Sequence, residues 1–105
     1  MAEKQLEISG PNGLKMTATE SFYKSSALKK NPGKTKGAIL VCKVDKGKLI
    51  TGQKVEIRLP DQKTIFDEIV RIELNREKIS IATQGQKIGI CLASTDPETI
   101  EPYLN

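Results

Sequence analysis

The chain contains no histidine and no tryptophan. Without imidazole it lacks the commonest general base, the usual metal ligand and every Ser-His or Cys-His nucleophile arrangement. No catalytic residue, metal or cofactor is therefore expected, and the chain reads as a binding module rather than an enzyme. The acidic pairs do not change this. Asp67 and Glu68 are adjacent, so on a strand they point to opposite faces, and Glu73 with Glu77 reads as solvated charge. Aromatic residues make up only 4% of the chain, too few for a base-stacking binder of single-stranded nucleic acid. Cysteines are equally scarce. Cys42 and Cys91 stand too far apart for a metal-ligand or redox motif and read as reduced packing residues in strands rather than a disulfide. No stretch approaches the roughly 20 apolar residues that span a bilayer, and the start MAEKQLEIS has no apolar run of the signal-peptide kind. No membrane association is expected, and the expected location is the cytoplasm.

What is present is one domain's worth of chain, 105 residues with 37% hydrophobic and 29% charged residues, the composition of a folded globular protein. The formal charge of +4 is unevenly spread. Between Lys24 and Lys36 lie five lysines (Lys24, Lys29, Lys30, Lys34 and Lys36) and no acid, while the rest of the chain holds 12 bases and 13 acids. Two readings fit this segment: a solvated loop, or a phosphate-contacting one that binds RNA through counterion release.

Apolar residues recur with a period of two, the signature of half-buried strands. Val55, Ile57 and Leu59 alternate with Lys54, Glu56 and Arg58. Val70, Ile72 and Leu74 do so with Arg71 and Glu73, and Ile88, Ile90 and Leu92 with Gly89, Cys91 and Ala93. Leu14, Met16 and Ala18 form a first strand, AILVCKV a central one, and Ile79 and Ile81 a short copy. Between Lys63 and Val70 the phase breaks, which predicts a bulge. Asn31-Pro32-Gly33 suits a type II turn. Six short strands with short connections predict an all-β fold, a closed or nearly closed antiparallel barrel spanning about residues 14–94. Residues 1–13 are expected to be an extension, frayed or added as an edge strand. Residues 95–105 are expected to be a tail with one helical turn, capped at Asp96 with Pro97 in the first position.

Gly33-Lys34-Thr35 matches the end of a phosphate-binding loop, but Leu28 stands where the motif needs its first glycine. A turn followed by a strand accounts for these residues, and no nucleotide is expected.

The stretch from Gly37 to Ile57, with Val44, Gly47, Gly52, Val55 and Ile57 at fixed spacings, resembles the second domain of elongation factor Tu and the other translational GTPases. So does the stretch from Val70 to Ile90, through Ile79, Ala82, Gly85, Ile88 and Gly89. The resemblance covers about Lys15 to Ser94 and implies a six-stranded barrel of that domain's type, standing here without a GTPase domain. It implies contact with structured RNA or the ribosome, and by its weaker matches it places Glu20, Phe22 and Arg76 near the pocket that holds the acceptor end of tRNA. The alternative it leaves open is a protein-interaction module, for a GTPase or another protein, that ignores RNA. An enzymatic reading has only the use of similar barrels in flavin reductases behind it.

Overall fold

Alternating side chains dictate the architecture, because each strand has one apolar face to bury and a closed ring buries all of them together. The computed structural model describes residues 5–21 and 38–104. Nine strands form among them: β1 Leu6–Ser9, β2 Lys15–Ser21, β3 Ile39–Lys46, β4 Lys48–Ile50, β5 Lys54–Arg58, β6 Thr64–Leu74, β7 Glu77–Ile79, β8 Ile81–Thr83 and β9 Lys87–Leu92. Six close a barrel in the order β5-β1-β2-β3-β9-β6, with β6 returning to β5. Every pairing in the ring is antiparallel. β7 extends the sheet beside β6, and β4 pairs with β8 in a separate ribbon whose inward residues, Leu49 and Ala82, are fully buried.

The fold is thus the expected all-β barrel of six strands, but one member differs. Ile79 and Ile81 do not form a barrel strand; they end β7 and begin β8. Their place is taken by β1, in the segment read as an extension. Leu6 and Ile8 are both buried, and β1 pairs with β2 on one side and β5 on the other. Two apolar residues among charged ones gave little periodicity, yet filling the gap between β2 and β5 leaves neither of them a free edge. The C-terminal tail also joins the core. A one-turn helix, α1 (Pro97–Ile100), leads into a 3₁₀ turn, and Ile100 and Leu104 pack into the same apolar cluster.

The predicted break of phase lies in β6, at the Val70 end of the segment that predicted it. Ile69 pairs with Leu92 and Arg71 with Cys91, so β6 spends two steps where β9 spends one. Val70 is the extra residue of a bulge and faces outward at 42% exposure, contrary to its inward assignment from the alternation. The bulge lets Ile69 and Ile72, three residues apart, both point inward.

Two glycines from the resemblance serve different needs. Gly47 has φ of 80°, and a Cβ on it would lie 3.0 Å from the Leu14 Cα, so backbone approach and torsion both demand glycine. At Gly52 φ is 92° but the space around it is open, so only the torsion demands glycine.

Asp67 and Thr95 are the only buried polar side chains among the described residues. The Asp67 carboxylate accepts hydrogen bonds from the backbone N–H of Glu68 (2.7 Å), Ser94 (3.1 Å) and Thr95 (2.7 Å) and from the Thr95 hydroxyl. Burial pushes its pKa up, but these donors outweigh burial and hold it below the ordinary carboxylate range. The clamp ties β6 to the chain leaving β9.

Because the folded-state pKa is depressed, the clamp contributes stability above the unfolded value of about 3.9 and loses it as pH falls through the folded value. Asp67→Ala should therefore lower the unfolding free energy by about 2 to 4 kcal/mol at neutral pH. The deficit should shrink in urea titrations run at progressively lower pH. Both cysteines are buried and unbridged. Burial pushes both thiols up, with Glu73 adding to the effect at Cys91 and Arg71 opposing it. A thiol-specific disulfide reagent should find neither thiol in the native protein and both after unfolding.

Candidate nucleic-acid interface

Cross-strand register places side chains on the outer face of β2, β3, β9 and β6 in rows, since partners in neighbouring strands point the same way. One row runs Thr17, Lys43, Lys87. The next runs Glu20, Val41, Gly89, Glu73. Between these rows and the β6–β7 turn lies a depression of about 170 Å³ lined by Val41, Glu73, Asn75, Arg76, Lys87 and Gly89, with Ile88 beneath. Gly89, lacking a side chain, and Val41 make its floor low and apolar.

The cations around it are poorly neutralised. Lys43 and Lys87 are exposed and stand directly opposite each other, an arrangement in which like charges repel. Among the described residues neither lysine has an ion-pair partner, and two nearby acids are engaged elsewhere. Glu73 bonds the Arg71 guanidinium at 2.7 Å, and Asp45 accepts a 2.6 Å hydrogen bond from the Thr17 hydroxyl. Arg76 adds a second cost. The two-residue turn from β6 to β7 has φ of 52° at Asn75 and 69° at Arg76, as in a type I′ hairpin turn. Asparagine suits the first position, but the second favours glycine, and an L side chain there costs about 1–2 kcal/mol. The sheet thus carries a repulsive lysine pair, of which Lys87 lines the depression together with the strained Arg76.

Of the residues singled out from the sequence, Glu20 and Arg76 are exposed and belong to this same outer face, Glu20 opposite Val41 and Arg76 beside it in the depression. Phe22, the turn at Asn31-Pro32-Gly33, and Lys24, Lys29, Lys30, Lys34 and Lys36 lie outside the described residues. The ends that flank that segment are fixed. Ser21 pairs with Leu40, one step beyond the Glu20–Val41 pair, and the Ala38 N–H donates to the Thr95 carbonyl at 2.8 Å. Ser21 therefore sits one step from the row that holds the depression, while Ala38 is tied to the chain that leaves β9. Lys43, Lys87 and Asn75 were not foreseen; Lys43 and Lys87 are neighbours only through the β3–β9 register, and nothing in their local sequence marks them.

Among the described residues no group of histidine, cysteine or acidic side chains is placed to hold a metal ion, and no helix is long and apolar enough to cross a membrane. No protein-family model and no curated protein matches the chain. What it does must be argued from its own surface.

If the lysine pair and the strained arginine are retained against stability, removing them should strengthen the fold. Lys87→Glu turns a repulsive pair into an attractive one and should raise the unfolding free energy by about 0.2–1 kcal/mol. Arg76→Gly should raise it by about 0.5–1 kcal/mol after the entropy of glycine is allowed for. Urea unfolding of the two variants beside the parent protein measures both.

Proposed function

We propose that this barrel is a binding module for structured RNA, of the kind that the second domain of translational GTPases provides, in which lysines hold phosphates and the strands fix their spacing. The observation that carries this reading is the Lys43–Lys87 pair, two ammonium groups directly opposite each other with no ion-pair partner among the described residues, of which Lys87 lines a depression that also holds Arg76. A phosphate between two such groups relieves their repulsion, so the arrangement that costs stability in the free protein favours an anionic ligand. The segment from Lys24 to Lys36 brings five further cations and no acid in the sequence. Contacts of this kind give affinity and orientation rather than sequence choice. The apolar floor of Val41 and Gly89 suits one face of an unstacked base or sugar at an RNA end, with Glu20 beside it as an acceptor for hydroxyl groups. A location in the cytoplasm, and a ribosomal or tRNA-like target, fit the resemblance of the two glycine patterns to that domain.

The test is binding to tRNA and to an RNA hairpin over a salt series. Affinity should fall more than about tenfold between roughly 50 and 200 mM salt. Replacing Lys43 and Lys87 by alanine should reduce the slope of log affinity against log salt by about one per lysine. Changing Lys29, Lys30 and Lys34 to glutamate should abolish binding. No binding, or binding that ignores salt, would leave the protein-interaction reading.

A further inference from the structure

In a ring of six strands β5 lies three positions from β3 and two from β9, so its outer face looks away from Lys43. On that far side a groove of about 650 Å³ crosses the end of β1, β5, β6 and the chain leaving β9, within the range of roughly 300–1,000 Å³ typical of ligand sites. Register again sets out its contents. Ser9, Glu56 and Phe66 form one row across β1, β5 and β6, and Lys54 stands opposite Glu68 in the next. Ser94 lies at the side of the groove where the Asp67 clamp fixes the chain, so that wall is rigid.

Phe66 is the most exposed of the large apolar side chains, at 71%. It sits in a concavity with a carboxylate directly across from it on β5 and another two residues along its own strand. The titratable groups lining the groove are Lys54, Glu56, Asp67 and Glu68. One cation against three carboxylates gives this patch a charge opposite in sign to the +4 of the whole chain. Among the described residues neither Glu56 nor Glu68 is engaged in an ion pair, although Lys54 faces Glu68. An aromatic face flanked by two available carboxylates is the chemistry that holds a cationic side chain, through the ring quadrupole and the carboxylate charge together.

We propose that this groove docks a basic, extended segment of a partner protein, seating an arginine or lysine side chain on the face of Phe66 between Glu56 and Glu68. Ser9 and Ser94 stand at its two sides as hydrogen-bonding groups for the segment's backbone. The same carboxylates repel phosphates, so the groove and the lysine face select opposite kinds of partner. This inference does not depend on RNA binding and survives or fails separately from it.

The experiment is an amide NMR titration of the full chain with a short Gly-Ser peptide carrying spaced arginines, and with the same peptide carrying glutamines instead. The expected result is that shifts with the arginine peptide centre on residues 9–11, 54–56, 66–68 and 93–94, and that the glutamine peptide binds about tenfold more weakly, the size expected of one cation–π contact with two exposed ion pairs. Phe66→Ala and the double variant Glu56→Gln, Glu68→Gln should each weaken the arginine peptide severalfold while their spectra elsewhere stay unchanged, since Phe66 and Glu56 are exposed. Absence of binding, equal binding of the two peptides, shifts centred on another face, or undiminished binding by folded Phe66→Ala would each overturn the proposal.

Discussion

β6 closes the barrel because its first half pairs with β5 and its second half with β9, and the extra residue Val70 lets both halves turn their apolar side chains inward. A strand of regular alternation could not do this. Ile69 and Ile72 have opposite parity, so without the bulge one of them would face water and the core would lose a fully buried side chain. Other constraints converge on the same changeover. Ile69 exchanges backbone hydrogen bonds with Gly52 and Gln53 in the turn before β5, and Asp67 gathers the chain after β9. Ring closure, the β4–β8 ribbon and the C-terminal helix that follows Thr95 are all anchored within three residues of β6. The single buried carboxylate there, fully satisfied by its donors, fixes geometry that the apolar core alone would leave adjustable.

Closure also decides how the surface is divided. A six-stranded ring has no broad flat side, so charges on strands three positions apart look in opposite directions. Lys43 on β3 and Glu56 on β5 are so placed, whereas Lys87 on β9 and the pair Phe66 and Glu68 on β6 belong to adjacent strands and are separated along the strand direction. The lysines suit phosphate and the groove at Phe66 a cation, and the interior between them is a packed apolar cluster. Both surfaces sit on strands rather than loops, which fixes their spacing more tightly than a mobile segment would.

The resemblance to a translational GTPase domain and the alternation of apolar residues led to the same barrel, and the strands with three or more alternating positions appear where their patterns put them. The failures came where the pattern was short or interrupted. Leu6 and Ile8 are too few to establish a period, and Ile79 and Ile81 belong to two different strands that the alternation merged into one. Val70 was assigned inward by extending the later phase backward across a bulge that one-dimensional periodicity can detect but not position. Of the candidate site, Glu20 and Arg76 lie on one outer face, whereas Lys43 and Lys87 carried no local mark and lay among charges that balance along the chain.

Residue order alone determined that the chain is built of half-buried strands, that it has no histidine, and that its basic excess lies between Lys24 and Lys36. Those are properties of neighbours along the chain, and neighbours set side-chain parity and local charge. Tertiary structure decided which distant residues share a surface: Lys43 with Lys87, Glu56 with Phe66, Asp67 with Ser94 and Thr95. Strand register makes these pairs, and register is fixed only when the ring closes, since a shift by one residue would exchange the inner and outer faces of a whole strand.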